Sequence, residues 1–261
     1  MVRVGGRILA GVSAALIGGA AMTVLSVSAN AADLSYKDAP AEIHGAGRTL
    51  AVTGFAALTS DYIFRGISQS DNDPAVQAQI DATYGILYAG AFASSTELEA
   101  GDSMELDLYA GVKPSWNGVT FDLGFIYYAY PGADDDLDYW EVKAGVSGTL
   151  FSTLSAYATV FYTDEGTLET GEIVTLEGGL SKTLFTHGNI AFAASGAIGY
   201  VDFDDNDLGV DYTYYNLGVT ATLSEKYSLD VRYHDTDLGD DDLSRPDLAD
   251  ERVVVTGKVS F

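Results

Sequence analysis

The sequence of 261 residues has no cysteine, only 5 prolines, and 13 basic residues against 38 acidic ones. The absence of cysteine excludes disulfides, thiolate metal sites and cysteine nucleophiles. The formal net charge of −25 and the lack of a basic patch argue against nucleic-acid binding. Beyond the first 31 residues no apolar run reaches about 18 residues, so the sequence predicts no membrane-spanning helix there.

The N-terminus has the pattern of a secretory signal peptide over residues 1–31. Two arginines precede an apolar run over 8–27, and Ala29 and Ala31 form a small-x-small cleavage site. The pattern predicts cleavage after Ala31, followed by an aperiodic, flexible periplasmic lead-in over 32–48. The length of the apolar run leaves an uncleaved anchor as the alternative. An exported chain without a spanning helix is either soluble or a β-barrel in the outer membrane.

From residue 49 to residue 261 apolar residues recur with a period of two, which predicts β-strands. About twelve segments show this alternation: 50–60, 75–84, 86–95, 104–114, 118–130, 138–148, 152–163, 171–182, 188–200, 211–223, 227–236 and 252–261. Their usual length of about ten to thirteen residues suits tilted strands that cross a bilayer. We therefore predict one all-β domain over 49–261, an antiparallel up-and-down transmembrane barrel with both mature termini in the periplasm.

The alternation alone is compatible with apolar rows that face either outward or inward. The connections between the strands indicate which row faces lipid. Short connections lie at one end of the predicted barrel, at 85, 114–118, 147–149, 185–189 and 224–226. Longer acidic ones lie at the other end, at 60–74, 95–103, 131–137, 163–170, 202–211 and 235–251. This asymmetry, together with aromatic residues at both strand ends, is typical of outer-membrane barrels with extracellular loops. We expect apolar rows on lipid and polar rows in the lumen.

The first long loop carries the most distinctive motif of the chain. Residues 60–70 read Ser-Asp-Tyr-Ile-Phe-Arg-Gly-Ile-Ser-Gln-Ser, and Pro-Ala-Val-Gln follows at 74–77. This block resembles the signature of the TorF family of proposed porins, formerly a conserved bacterial family of unknown function. The resemblance implies an outer-membrane barrel with passive-channel activity and names no substrate. Arg65 is expected to pair with Asp61 or Asp81 or to set a positive field in the lumen, or else to close the loop on backbone carbonyls.

The last ten residues form an alternating strand that ends in an aromatic residue. Phe261, Val259 and Val255 lie on one face of that strand. This ending resembles the signal by which outer-membrane barrels are handed to their assembly machinery, so we expect that machinery to be a partner.

With apolar rows on lipid, the inward rows carry charges of both signs. The basic candidates are Arg65, Lys113, Lys143, Arg232, Arg252 and Lys258, and the acidic ones are Asp81, Glu105, Asp107, Asp122, Glu141, Glu177 and Asp230. Opposed charges of this kind create a transverse field across a constriction, which favours polar and zwitterionic solutes. Inward glycines at 111, 124, 145 and 179 favour open space. The alternative is that the charges pair across a filled interior and close it.

Enzymatic and metal-binding functions receive little support from the sequence. His234 lies beside Asp235 and Asp237 near a strand end, but the spacing indicates no nucleophile, so we expect no enzyme and no cofactor. The acidic runs at 134–136, 202–207 and 235–242 lack the calcium-loop pattern. We expect them to form a solvated rim that contacts lipopolysaccharide, with Mg²⁺ or Ca²⁺ as a possible bridge.

The function that the sequence favours is passive diffusion of small polar or charged solutes across the Gram-negative outer membrane. Two alternatives stay open. One is a plugged barrel with a structural, adhesion or binding role through its acidic loops. The other is a soluble periplasmic ligand-binding β-barrel. The sequence indicates no oligomeric state.

Overall fold

The computed structural model describes residues 49–98, 101, 103–133, 137–151, 153–166, 170–204, 209–240 and 242–261. The predicted signal peptide with Ala29 and Ala31, the lead-in over 32–48 and the acidic run 134–136 lie outside the described residues. No helix in the described part of the chain is long and apolar enough to cross a membrane.

The described chain is almost entirely β-strand. The strands are β1 Leu50–Thr59, β2 Ile63–Phe64, β3 Ile67–Ser68, β4 Ala75–Tyr84, β5 Leu87–Ser95, β6 Met104–Val112, β7 Ser115–Trp116, β8 Val119–Ala129, β9 Tyr139–Leu150, β10 Leu154–Thr163, β11 Ile173–His187, β12 Ile190–Phe203, β13 Tyr212–Leu223, β14 Tyr227–Thr236 and β15 Arg252–Ser260, with one 3-10 turn at Pro246–Leu248.

The main sheet closes on itself. It has 13 strands in the order β6-β5-β4-β1-β15-β14-β13-β12-β11-β10-β9-β8-β7, and β6 also pairs with β8. Because β7 is only 2 residues long, the other twelve strands form the barrel wall. Each long strand is antiparallel to both of its neighbours, and β1 pairs with β15 to close the ring. The prediction of a twelve-stranded up-and-down barrel is confirmed.

The apolar rows lie on the outside of the barrel. On β15, for example, Val253 and Val255 are 61% and 42% exposed, whereas Val254 between them is 5% exposed and faces inward. The same alternation places Leu108 outside and Asp107 inside on β6. A continuous apolar exterior of this kind is the surface that a bilayer covers. It contradicts the soluble alternative, in which the apolar rows would point into the core.

The strand bounds differ from the predicted segments most clearly at β11. The prediction ends that strand near residue 182 and makes 185–189 a connection, but β11 continues to His187. A tight turn at Gly188, with φ of 62°, leads directly into β12. The register shifts between Thr183 and Phe185, which marks a β-bulge. The bulge interrupts the simple alternation, so the sequence pattern ends before the strand does.

The C-terminus completes the barrel seam. Phe261 exchanges two backbone hydrogen bonds with Gly54 of β1, at 3.0 and 2.9 Å. Its ring lies over Gly54, where an added Cβ would sit 2.7 Å from Phe261 Cζ and 2.5 Å from the Gln79 carbonyl oxygen. Glycine at this position therefore allows the terminal aromatic ring to pack flat on the outer face.

Candidate functional site

The first long loop folds back into the barrel instead of extending away from it. Strands β2 and β3 pair as a small hairpin joined by Arg65 and Gly66. Both residues have positive φ, 45° and 87°, as a two-residue hairpin turn of the primed type requires. The side chains of Phe64, Ile67 and Gln69 are almost completely buried. We call residues 62–70 the inner hairpin. It occupies the lumen at the long-loop end.

The base of the inner hairpin is held by Asp61. Its carboxylate accepts hydrogen bonds from Ser68 Oγ at 2.6 Å and Ser70 Oγ at 3.0 Å, and from Arg252 Nη1 at 2.8 Å. Arg252 also donates to the Asp247 carbonyl oxygen at 2.6 Å. Arg252 was expected to face the lumen, but as the first residue of β15 it instead ties the first loop to the last loop at the barrel rim.

The tip of the inner hairpin is fixed by a buried ion pair. Arg65 Nη1 and Nη2 donate to Glu141 Oε1 and Oε2 at 2.8 and 3.0 Å, and the guanidinium lies over the Phe64 and Phe161 rings. Burial alone lowers the pKa of Arg65, but the Glu141 carboxylate outweighs it and raises that pKa. Neither expected partner, Asp61 nor Asp81, pairs with Arg65, because the hairpin carries the side chain across the lumen to β9.

A second carboxylate, Glu105, holds the start of the hairpin. It accepts hydrogen bonds from Tyr62 Oη at 2.7 Å and from Tyr130 Oη at 2.9 Å. Burial and the adjacent Glu105 charge raise the pKa of both phenols. Asp107, the next inward residue of β6, is also fully buried.

One half of the lumen is packed with tyrosine, acidic and basic side chains. Asp122 accepts hydrogen bonds from Lys143 Nζ at 2.9 Å and Tyr88 Oη at 2.8 Å, and Lys113 Nζ lies 3.6 Å away. Nearby, Tyr109 Oη donates to Asp81. Asp122 is therefore neutralised by lysines in this half, whereas Asp81 is held by a tyrosine.

The inward glycines do not leave open space, contrary to the prediction. An added Cβ at Gly111 or Gly124 would run into the Tyr88 ring, and one at Gly179 would run into the Tyr157 ring. At Gly145 the space is taken by Thr159. These glycines accommodate bulky neighbours, so they contribute to filling the lumen.

The other half of the lumen holds a cavity of about 160 Å³ beneath the inner hairpin, bounded mainly by β10–β15. Its lining includes Glu177, Asp230, Arg232, His234 and Lys258. A cavity of roughly this volume holds a molecule about the size of benzene.

The guanidinium of Arg232 is fully engaged within this lining. Its Nε and Nη2 donate to Asp230 at 3.1 Å each, its Nη1 donates to Asn216 Oδ1 at 2.7 Å, and its Nη2 donates to Ser195 Oγ at 2.8 Å. The Arg232 charge is therefore neutralised by Asp230, and its side chain is fixed in place.

Inward side chains become more exposed toward the short-turn end. On β1, Ala57 and Thr59 are buried, whereas Thr53 on the same inward row is exposed. On β11 the same change occurs between Ser181 and Thr183. The inner hairpin therefore narrows the lumen toward the long loops, and the lumen widens toward the short turns.

Sequence reasoning missed the inward tyrosines and misplaced His234. Tyr130 and Tyr212 are among the aromatic residues near strand ends that the sequence pattern assigned to the bilayer interface, but they are buried in the lumen. Tyr128 donates to Glu141 at 2.9 Å. The alternation already placed Tyr109 and Tyr128 on polar rows, which was the available signal. His234 lines the cavity, while Asp235 accepts hydrogen bonds from the outward Tyr215 and Tyr233. Asp235, one of the two residues expected to flank His234, thus lies on the opposite face.

Within the described residues, no group of three or more histidine, aspartate or glutamate side chains is arranged to hold a metal ion. Several acidic rim residues that the structure describes are used in loop hydrogen bonds. Asp138, for example, accepts from the Tyr130 backbone N–H at 2.8 Å, and Asp211 accepts from the Phe203 N–H at 2.9 Å.

An apolar exterior, a polar interior and a closed ring of twelve long strands define a porin-like barrel of the outer-membrane class. Solved structures agree with this class. The KdgM porin in complex with disordered oligogalacturonate superposes with a TM-score of 0.55 at 9% identity, over 81% of this chain and 99% of that chain. The NanC porin superposes with a TM-score of 0.50 at 10% identity, over 81% and 99%. At these identities the likeness establishes the fold.

The chain belongs to the Gcw_chp family, described as bacterial proteins of unknown function, whose family model matches residues 44–261. The TorF name suggested by the loop motif is not confirmed. A search of curated proteins found no match.

Proposed function

We propose that this protein is a passive outer-membrane channel for small polar or charged solutes, with its path narrowed by the inner hairpin. The observation that carries the proposal is the cavity beneath the hairpin. Its largely apolar lining carries several charged side chains, and it lies in a closed barrel whose lumen widens toward the short turns. Solutes would pass along the β10–β15 side, because the opposite side is packed by Tyr88, Asp122 and Lys143.

The proposal includes an orientation in the membrane and two kinds of partner. The long loops would be extracellular, and the short turns and both mature termini periplasmic, as in outer-membrane barrels generally. The acidic rim would meet lipopolysaccharide, with divalent cations between like charges. The strand that ends at Phe261, with Val259 and Val255, would be read by the barrel assembly machinery.

A liposome-swelling assay with the folded protein tests this function. Vesicles containing wild-type protein should swell in small polar solutes such as glycerol and glycine, and much more slowly in disaccharides, which exceed the cavity. Arg65→Ala should admit larger solutes because it releases the hairpin tip. Lys182→Gln, a change on the exposed outer row of β11, is the matched control and should behave as wild type. Absence of swelling in every solute, for wild type and Arg65→Ala alike, would refute the channel.

A second candidate function is a plugged barrel whose loops bind a surface partner. It is favoured by the buried, bidentate Arg65–Glu141 pair, because an ion pair of this geometry can hold the hairpin permanently in place. Under this alternative, vesicles with wild-type protein would not swell in any solute.

A further inference from the structure

Two charged groups in the cavity beneath the inner hairpin form no ion pair within the described part of the chain. Four of the charged side chains that line it are held in ion pairs: Asp61 with Arg252, Arg65 with Glu141, and Asp230 with Arg232. The carboxylate of Glu177 and the ammonium of Lys258 also line the cavity, and neither forms an ion pair with the described residues. These two groups define a negative and a positive pole.

Glu177 is a firmly positioned negative pole. Its Oε1 accepts a hydrogen bond from Tyr157 Oη at 3.0 Å, and its Oε2 accepts one from Tyr214 Oη at 2.7 Å. Each carboxylate oxygen can accept a further hydrogen bond, since an ionised carboxylate offers about four lone-pair sites. Ser181, which is four residues further along β11 and lines the same cavity, has a buried Oγ without a hydrogen-bond partner in the described part of the chain. This wall therefore has unused hydrogen-bonding capacity.

Lys258 is the positive pole, on β15. Its Nζ lies 5.2 Å from the centre of the Phe55 ring. Its cross-strand neighbour Ser228 and the inward Thr256, two residues before it on β15, also line the cavity. An ammonium offers three donors and no acceptor. Because no described carboxylate pairs with Lys258, those donors are available to an anionic group of a solute.

The charge of the rim restricts which solutes can use these poles. Outer-loop residues that the structure describes include Asp71, Asp73, Glu97, Asp237 and Asp242, within a chain whose net charge is −25. Such a rim repels anions at the mouth but not molecules of zero net charge. A solute that carries both charges would avoid that repulsion and still satisfy both poles.

We infer that the cavity is a binding site for small zwitterions of the amino-acid type, with the carboxylate at Lys258 and the ammonium at Glu177. This inference rests on the proposed function for access to the lumen and names its preferred solute class. The cavity volume of about 160 Å³ suits molecules of a few to about ten non-hydrogen atoms.

Calorimetric titration of the folded protein in detergent micelles tests the site without requiring transport. The probes are ω-amino acids of increasing length, from glycine to 6-aminohexanoate, compared with butyrate and butylamine at equal ionic strength. Wild type should bind one length of amino acid best, and at least about tenfold more tightly than either singly charged analogue, since a charged hydrogen bond contributes at least that factor. The best length would give the separation of the two poles.

Variants at the poles should change the preference in opposite directions. Lys258→Gln should remove the preference for a carboxylate and leave binding of butylamine unchanged. Glu177→Gln should remove the preference for an ammonium group and leave binding of butyrate unchanged. Lys258→Arg, which keeps the positive charge, should retain zwitterion binding. The control variants Lys182→Gln and Glu225→Gln lie outside the cavity and should bind as wild type does. Circular dichroism and heat-modified gel mobility verify that each variant is folded.

The outcomes separate the site from the channel. Equal affinity for zwitterions, anions and cations, or no effect of either pole variant, would overturn the inference even if vesicles swell. Zwitterion binding that depends on both poles, without swelling in any solute, would support the site and refute the channel function.

Discussion

The Arg65–Glu141 pair is the residue-scale feature that decides the shape of the lumen. Their side chains are 4% and 2% exposed, so each charge is tolerated only because the other neutralises it. Removing one partner of such a pair usually costs about 3–5 kcal/mol, because it leaves the other charge buried and unpaired.

We predict that Arg65→Ala and Glu141→Ala each lower stability by about 3 kcal/mol, and that the double variant loses less than their sum. Urea unfolding of the three variants, followed by gel mobility, gives the coupling energy. Arg245→Ala is the control, since Arg245 pairs with Asp71 and Asp247 in partly exposed loops and its removal should cost only about 1 kcal/mol or less. Strictly additive effects of the two lumen substitutions would contradict the pair as the lock of the hairpin.

Two glycines at the barrel seam offer a matched comparison. A Cβ at Gly54 would strike the Phe261 ring and the Gln79 carbonyl, whereas one at Gly257 would meet nothing within 4 Å. Gly54→Ala should therefore destabilise the barrel by roughly 1–3 kcal/mol, the usual cost of overpacking, and Gly257→Ala should be neutral. The urea midpoints of the two variants measure this difference. Equal midpoints would show that the terminal ring does not depend on Gly54.

The phenols of Tyr62 and Tyr130 predict an alkaline dependence of stability. Burial and the charge of Glu105 raise the folded-state pKa of both groups above that of a free tyrosine. The stability that these two phenols give the folded state is thus fully present below their unfolded-state pKa of about 10. It is lost as the pH rises through their higher pKa values in the folded state. Tyr62→Phe should reduce the alkaline loss of stability, measured by urea unfolding between neutral pH and about pH 11. An unchanged pH profile in that variant would argue against the Glu105 contact.

At the scale of elements, the strands could be predicted and the inner hairpin could not. The long strands obey a strict period of two because one face meets lipid and the other the lumen. The hairpin has only two residues in each strand, which is too short for any period to appear. The sequence feature that could have indicated the hairpin is a group of apolar and aromatic residues, Tyr62-Ile63-Phe64 and Ile67, on either side of Arg65 and Gly66 in an otherwise polar loop.

The turn of the inner hairpin gives an element-scale prediction. At Gly66, φ is +87°, and an added Cβ would contact Thr236 and lie 2.8 Å from Tyr214 Cβ. At Gly118, φ is +76°, but nothing lies within 4 Å. An alanine at either position is strained by the left-handed backbone conformation. Any difference in stability between the two variants therefore reports how closely the hairpin tip packs against β13 and β14. We expect Gly66→Ala, and not Gly118→Ala, to make residues 60–74 susceptible to limited proteolysis. Equal protection would show that the tip is not closely packed.

At the scale of the whole molecule, the sequence predicted the barrel, its number of strands and its apolar exterior. It also predicted that the lumen charges lie on inward rows, but not which of them meet. Partners such as Arg65 and Glu141 are 76 positions apart and come together through the inserted hairpin, which the alternation does not encode. The same holds for the tyrosine rings that fill the space beside Gly111 and Gly124. How much of the lumen is packed and how much stays open is therefore decided by tertiary contacts, which the alternation of the sequence does not reveal.

The central claim is that the inner hairpin narrows a conducting lumen, and single-channel conductance in a planar bilayer tests it most directly. The comparison is between wild type and a variant in which Gly-Gly replaces Ile63–Ser68, with Lys182→Gln as control and folding verified for each. The account predicts small, discrete current steps for wild type and Lys182→Gln, and severalfold larger steps for the shortened hairpin. Folded protein that stays silent with and without the hairpin would contradict it.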